Sequence, residues 1–423
     1  MFKTFLKGII EKNKLLIFNE GVFFNNFFTL LFKQINTKEK WTKEEIKLLR
    51  QYLLHLSSYV PVLILFLLPG GGLLLPFLAA VLDRRKSKRP DSSIDNINEE
   101  DLLSPQMTEI ILDIKQLNLS FINQSGFLPI LNDINFSLKK SEVFGLVGES
   151  GCGKSLTALS IMRLLPQNVL INGTISFNGK NILTIGEADM RKIRGKEIAM
   201  IFQEPMTSLN PVLTVGYQIS EVIRTHEGLS KKDAYCKSIE LMKAVMIPSA
   251  ELRVRDYPHQ MSGGMRQRVM IAMAIACKPK LLIADEPTTA LDVTIQSEIL
   301  ALIKRIRDEM AMSMLLITHD LAIISEQTDT AAIMYTGRIL EFASTEELLS
   351  NPLHPYTKGL LNSLPQQKYR KLLPIKGFVP DPKNLPKGCK FSNRCSLADL
   401  LCNEIEPKIE EKSSGHFVRC YKA

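Results

Sequence analysis

From residue 107 onward, short apolar runs alternate with longer stretches of helical periodicity. Ile110-Ile111-Leu112-Asp113-Ile114 opens the region, and Val143–Val147, Ile198–Phe202, Leu281–Ala284 and Met314–Ile317 follow as strand candidates. Leu156–Leu165, a short loop beyond Val143–Val147, has a helical pattern. Residues 212–280 are mostly helical and predict a subdomain, and Ala331–Phe342 predicts a hairpin turning at Thr336-Gly337. This alternation predicts an α/β domain over 107–345.

Residues 1–83 follow a different pattern. Phe, Leu and Lys dominate, and the stretch from Ser57 to Leu82 carries no charge. A bilayer needs roughly 20 apolar residues, so the stretch is long enough. Pro61, Pro69-Gly70-Gly71-Gly72 and Pro76 interrupt it, so two short helices forming a hairpin that dips into the membrane are expected. A buried hairpin in a soluble helical domain is the alternative. Ten Lys/Arg against five acids in residues 1–50, and the basic run Arg84-Arg85-Lys86-Ser87-Lys88-Arg89, put both flanks on the cytoplasmic side. Residues 84–106 read as a polar linker. Met107-Thr108-Glu109 then has the look of the natural start of a separate protein, which makes the N-terminal part an expected fusion.

Composition narrows the class. With 45% hydrophobic and 23% charged residues, the 423-residue chain is expected to be globular. Its formal charge of +9 suits an anionic membrane surface or nucleic acid. No DNA- or RNA-reading signature accompanies the charge, which favours the membrane surface. Lys3, Lys7, Glu11, Lys12 and Lys14 interrupt any signal-peptide core. Of seven cysteines, Cys152, Cys236 and Cys277 are scattered and Cys389, Cys395, Cys402 and Cys420 crowd the C-terminus.

The chemistry begins at Gly148-Glu149-Ser150-Gly151-Cys152-Gly153-Lys154-Ser155, a complete P-loop between a strand and the helical run that starts at Leu156. Its glycines let backbone N–H groups close around phosphate, and the helix N-terminus adds its dipole. Lys154 is placed to bridge the β- and γ-phosphates of ATP and Ser155 to ligate Mg²⁺. Leu281-Leu282-Ile283-Ala284-Asp285-Glu286 is the companion Walker B strand, with Asp285 on the Mg²⁺ side and Glu286 placed to polarise water. A P-loop also implies the reducing cytoplasm, which argues against a disulfide scaffold.

Met261-Ser262-Gly263-Gly264-Met265-Arg266-Gln267-Arg268 resembles the signature sequence of ABC ATPases, and it stands between those two motifs. Further elements match in the family's order. Gln203 resembles the Q-loop glutamine, Ala290-Leu291-Asp292 the D-loop, and His319 the switch histidine. Phe121 is the expected adenine-stacking aromatic of the A-loop, with Phe127 second. Each of these alone is also an ordinary turn, surface or core residue; together, in this order after a P-loop, they are not coincidental. The resemblance implies a RecA-like P-loop NTPase fold with a helical subdomain, and a head-to-tail dimer of cassettes. Ser262, Gly263, Gly264 and Met265 would then meet the partner's ATP, and Glu286, His319 and Gln203 would serve catalysis. Gln203 would also join Ser155 and Asp285 at Mg²⁺ and report to a membrane partner.

Two later stretches resemble the C-terminal extension of oligopeptide and dipeptide importers, with nickel importers as close relatives. They are Asn351-Pro352-Leu353-His354-Pro355-Tyr356-Thr357-Lys358-Gly359, and Val379-Pro380-Asp381-Pro382 leading to Gly388-Cys389-Lys390-Phe391 and Arg394-Cys395. Residues 346–423 are therefore expected to form that extension. Cys389, Cys395, Cys402 and Cys420 are spaced C-x5-C-x6-C-x17-C, a set able to ligate a [4Fe–4S] cluster, with Zn²⁺ or four free thiols as alternatives. The family resemblance favours the cluster. Cys152 is a family-typical filler of the P-loop, and Tyr59–Pro76 resembles the membrane segment of LETM-type proteins over residues 40–85, without transferable ion-transport residues.

The importer resemblance implies a second, similar cassette, two transmembrane permease subunits and an external or periplasmic substrate-binding protein, at the cytoplasmic face of a bacterial plasma membrane. A nickel importer and a membrane-tethered regulatory ATPase are the competing functions. Soluble repair and ribosomal ABC ATPases fit less well, because the chain has one P-loop, no long coiled-coil insertion and no internal repeat.

Overall fold

The computed structural model describes residues 109–423 apart from Ser125, Ala290 and residues 364–374. The expected N-terminal segment, hairpin and linker lie outside the described residues. Among the described residues no helix is long and apolar enough to cross a membrane.

Among the described residues, twelve strands form two sheets. One is antiparallel, ordered β2-β1-β4-β5, from β1 (Ile110–Asn123), β2 (Gly126–Lys139), β4 (Val169–Phe177) and β5 (Lys180–Asn181). The other has eight strands ordered β11-β12-β10-β9-β3-β8-β7-β6. Its parallel part joins β6 (Ile198–Ile201), β7 (Leu281–Asp285), β8 (Ser313–Thr318), β3 (Val143–Val147) and β9 (Thr330–Tyr335). Strands β3, β7 and β8, and also β6 at the sheet edge, are buried throughout, as parallel strands covered on both faces must be. The register sets Val147 beside Thr318, Asp285 beside Ile317 and Ile201 beside Ala284. Four strands thus end nearly level, and the crevice beyond their carboxyl ends is where open α/β sheets bind ligands.

The strand candidates of the parallel sheet agree with these to within a residue or two at each end, with Phe202, 37% exposed, falling outside β6; the opening run Ile110–Ile114 is only the start of β1, which continues to Asn123. The helix after the P-loop, α1 (Lys154–Met162), stops before the expected Leu165 because Arg163 turns left-handed at φ 50. Residues 212–280 hold α2 (Val215–Glu227), α3 (Lys231–Ala244) and α4 (Gly263–Ile275). Thr214 and Ser230 cap the first two by accepting from the Tyr217 and Asp233 N–H groups. Ile219, Ile223, Ala234 and Met242 pack with Val269 and Ile271 of α4 and with Ile299 and Ile303 of α5 (Val293–Met310). On the opposite face, buried residues of β1 and β2 (Leu112, Ile114, Leu131, Ile134) cover Phe144 and Leu146 of β3 and Ala158 and Ile161 of α1.

The C-terminal region continues the main sheet. Strand β12 (His416–Val418) pairs with β10 (Arg338–Ser344), setting Glu341 beside Val418, and β11 (Glu410–Ser413) pairs with β12. Tyr356 of α6 (Pro355–Asn362), Cys389, Phe391 and Cys402 are buried with Val147, Ile333 and Tyr335 in a third core. The rings of Tyr335 and Tyr356 lie 4.8 Å apart, and Phe391 meets both at 5.3–5.4 Å. The extension therefore buries its aromatic residues against β9, the neighbour of the strand that leads into the P-loop.

Candidate nucleotide site

The P-loop leaves β3 at Gly148 and closes into α1 at Gly153, whose φ of 106 suits only glycine. A Cβ on Gly148 would lie 2.1 Å from the Met334 carbonyl, and one on Gly153 2.6 Å from Leu131 Cδ2. The loop is thus wedged between β9 and β2. Cys152 fills the space beneath it; burial pushes its thiol up, which fits a packing role and not a nucleophile. Ser150 and Gly151 are exposed, while the side chain of Lys154 is only 4% exposed. The Lys154 ammonium donates to the Gly148 carbonyl (2.8 Å) and the Glu149 carbonyl (3.1 Å) of its own loop.

Asp285 ends β7 and is buried, and its Oδ1 has no hydrogen-bond partner. Burial pushes this carboxyl up, opposed by the Ser155 hydroxyl, while neighbouring Glu286 adds to the rise and Lys154 counters it. An orphaned buried carboxylate oxygen beside a serine hydroxyl is a donor set that fits Mg²⁺.

Glu286 is where the expected residues meet. Its Oε2 accepts from Gln203 Nε2 (3.1 Å) and Thr289 Oγ1 (2.8 Å), and His319 Nδ1 lies 3.3 Å away. Its Oε1 is 3.8 Å from Lys154 Nζ. Residues from the ends of β3, β6, β7 and β8 therefore converge on one carboxylate. Thr289 was not among the expected residues; a threonine three positions beyond Glu286 has no distinguishing sequence signal.

The signature residues stand apart. Exposed Ser262 caps α4 by accepting from Met265 N–H (3.3 Å), and Gly264 packs so closely that a Cβ would be 2.9 Å from Ile295 Cγ2. Gly263 and Met265 are half-buried beside it. Within the motif, buried Gln267 donates from Nε2 to the Pro287 carbonyl (2.5 Å) and so ties α4 to the turn after Walker B. Asp292 caps α5 by accepting from Ile295 N–H (2.9 Å). Phe121 is half-buried against the antiparallel-sheet core, opposite Leu128 and Val169, and Phe127 is exposed. Leu156 packs on the same core from α1.

Cys389, Cys395, Cys402 and Cys420 line one narrow cavity together with His354, Phe391 and Tyr421. All four are free, and burial raises the thiols of Cys389 (to about 11), Cys395 and Cys420, with neighbouring cysteines adding to each rise. Among the described residues, however, no three or more His, Cys, Asp or Glu side chains are drawn into metal-holding geometry.

The extension also reaches the P-loop. Arg394 donates to both carboxylate oxygens of Glu149 (2.6 and 3.1 Å), and the Glu149 N–H donates to Tyr356 Oη (3.1 Å).

Residues 131–289 match the ABC transporter family and residues 340–402 the oligopeptide/dipeptide transporter C-terminal region. The chain is 44% identical over 329 residues to the oligopeptide transport ATP-binding protein OppD of Salmonella typhimurium, covering 77% of this chain and 98% of that one. It is 48% identical over 315 residues to AppD of Bacillus subtilis, an oligopeptide transport ATP-binding protein, covering 74% and 96%. A probable peptide ABC transporter ATP-binding protein of Sinorhizobium fredii is 47% identical over 320 residues, covering 74% and 96%. Among solved structures, a dimeric ATP-binding cassette bound to ADP and Pi aligns with a TM-score of 0.50 at 24% identity, covering 55% of this chain and 98% of that one, which establishes the shared fold. With the P-loop, the Walker B carboxylates and the signature helix set in this fold, the chain belongs to the ATP-hydrolysing ATP-binding subunits of the oligopeptide/dipeptide ABC transporter family.

Proposed function

We propose that this chain is one of two motor subunits of a di- and oligopeptide importer, working at the cytoplasmic face of the plasma membrane. Its partners would be a second, distinct cassette, two permease subunits and a substrate-binding protein. The observation that carries the reading is the convergence of Gln203, His319, Thr289 and Lys154 on Glu286. That arrangement fixes one carboxylate at the carboxyl ends of the parallel strands, beside a phosphate-binding loop.

In this reading the P-loop N–H groups and Lys154 hold the ATP phosphates, and Phe121 stacks on adenine. Ser155, Asp285 and Gln203 hold Mg²⁺, which when bound neutralises charge on the β- and γ-phosphates. Glu286 accepts a proton from the attacking water as the new P–O bond forms at the γ-phosphorus and the bond to ADP breaks. Gln203, Thr289 and His319 keep that carboxylate aimed. The exposed helix start at Ser262, Gly263 and Gly264 suits a γ-phosphate offered by the partner cassette, with Asp292 beside the same interface. Near Gln203, a groove of about 250 Å³ lined by Met162, Met200, Phe202, Met270 and Met273 offers an adaptable apolar seat for a permease helix.

The extension, residues 346–423, would carry the importer-specific role. Its four cysteines are a soft donor set that would hold a [4Fe–4S] cluster, and a bound cation would supply the charge that favours thiolates over the raised thiols. The N-terminal segment 1–83 and linker 84–106 would tether the cassette, whose domain spans 107–345, to the membrane.

The test is ATP hydrolysis by wild type and Glu286→Gln, each alone and with permease and partner cassette. Wild-type turnover stimulated by permease, with Glu286→Gln retaining ATP in a stable dimer, supports the motor. Turnover that permease neither binds nor alters would reject import.

A further inference from the structure

Glu149 is the second residue of the P-loop, and its carboxylate has the same sign as the triphosphate such a loop receives. Its side chain is turned away from the loop, into the C-terminal extension. There the Arg394 guanidinium, only 5% exposed, grips it with two parallel hydrogen bonds. Arg394 is itself fixed: Nε donates to the Lys376 carbonyl (3.0 Å), Nη1 reaches Tyr335 Oη (3.4 Å), and the guanidinium lies 5.8–5.9 Å from the rings of Tyr335 and Phe391. A second grip acts on the backbone, where the fully buried Tyr356 takes the Glu149 N–H. The Glu149 carbonyl in turn accepts from Lys154. Displacing Glu149 would therefore move a partner of the phosphate-binding lysine. Arg394 also directly precedes Cys395, so this contact joins the four-cysteine fold to the phosphate loop.

We infer that Arg394 and Tyr356 are positioning residues of the nucleotide site. Arg394 neutralises Glu149 and holds its carboxylate clear of the phosphates, and Tyr356 sets the loop backbone that Lys154 leans on. The inference rests on reading Gly148–Ser155 as the phosphate site. Its consequence is that the extension sets ATP affinity, so a disturbance of the four-cysteine fold is felt first in nucleotide binding.

The experiment is equilibrium binding of a fluorescent ATP analogue to the full chain, with steady-state hydrolysis in parallel. Arg394→Gln leaves a lone carboxylate beside the triphosphate and is expected to weaken binding roughly tenfold, as one pairwise charge interaction near a protein surface can. Arg394→Lys keeps the charge but loses the fork, and is expected to lie between the two. The decisive variant is Arg394→Gln combined with Glu149→Gln: removing the stranded charge is expected to restore affinity to within about twofold of wild type. A double variant as weak as Arg394→Gln alone would reduce Arg394 to a purely structural contact and overturn the inference, as would wild-type affinity in Arg394→Gln. Should Arg394→Gln fail to fold, Tyr356→Phe deletes one hydroxyl from a buried ring. It is expected to raise KM for ATP about threefold with kcat within twofold, and an unchanged KM overturns the Tyr356 role. Lys154→Ala separates the two levels. If it binds the analogue as wild type does, the phosphate-site reading fails; if it loses binding while Arg394→Gln does not, only the inference fails.

Discussion

Glu286 adopts a left-handed backbone (φ 45) on leaving β7, a conformation that costs a non-glycine residue on the order of 1–2 kcal/mol. The surrounding contacts impose it. Its N–H donates to the Ile317 carbonyl (2.9 Å), its carbonyl accepts from Thr289 N–H (3.1 Å), and its carboxylate is held by Gln203 and Thr289 with His319 at 3.3 Å. The turn aims the side chain toward Lys154 and away from the strand direction. Thr289→Val keeps the shape and removes one donor, so we expect kcat for ATP hydrolysis to fall about tenfold while ATP affinity stays within about twofold. Steady-state kinetics would check this, and an unchanged kcat would remove Thr289 from the positioning of Glu286. Gln267 is a different case, because it touches no reacting group. Gln267→Leu leaves the Pro287 carbonyl unpaired in a buried setting, and should cost about 1–3 kcal/mol in chemical denaturation. A wild-type midpoint in that variant would contradict the assignment.

The hairpin of β9 and β10 turns through Thr336 (φ 39) and Gly337 (φ 73), two successive left-handed residues as a two-residue hairpin loop prefers. Its tip is strapped to the nucleotide site: Gly337 N–H donates to the Cys152 carbonyl, and the Gly337 carbonyl accepts from Asn132 N–H, each at 2.9 Å. A Cβ on Gly337 would meet the Ile130 carbonyl at 1.7 Å. Gly337→Ala is therefore expected to lower stability by more than the ~1 kcal/mol of an ordinary left-handed alanine and to weaken ATP binding with it. Calorimetry and nucleotide titration on one sample would test the link, which fails if stability falls and affinity does not. This hairpin was legible in the sequence because Thr-Gly separates two apolar runs, and β3, β6, β7 and β8 were legible because buried parallel strands read as near-continuous apolar runs. Strand β11 was not, since Glu410–Ser413 is exposed at every position and carries no hydrophobic signal, and β12 was not, since the three residues His416–Val418 are too few to show a period. Motif residues could be read because phosphate chemistry needs fixed local spacing. Arg394 and Tyr356 could not, because they meet Glu149 across 245 and 207 residues, a distance at which no local pattern encodes a partner.

On the scale of the whole molecule, cassette and extension meet at Glu341, a fully buried carboxylate on β10. It accepts from the backbone N–H groups of Leu353 (2.6 Å) and His354 (3.0 Å), and His416 Nε2 of β12 lies 2.8 Å away. His354 Nδ1 then accepts from Tyr356 N–H (3.0 Å) and caps α6, the helix whose tyrosine holds the P-loop. Burial, with a smaller effect from Lys358, lowers His354 from its ordinary 6.5 to about 3. The sign follows from linkage. Between those values the unfolded chain protonates this histidine and the folded chain does not, so stability present above pH 6.5 is lost as pH falls toward 3. The limiting slope is about 1.4 kcal/mol per pH unit. Below pH 6.5 the cost of opening this joint should fall, because His354 takes up a proton only once it is released from the fold and a protonated Nδ1 cannot re-form the bond from Tyr356 N–H. His354→Asn keeps a side-chain acceptor at the cap and does not titrate, so its stability should fall less steeply between pH 7.5 and 5.5. The expected gap at pH 5.5 is about 1 kcal/mol, or roughly 1–2 °C in Tm for a domain of this size. Melting curves of the two proteins that stay parallel over that interval would show that His354 does not couple proton uptake to the joint between extension and cassette.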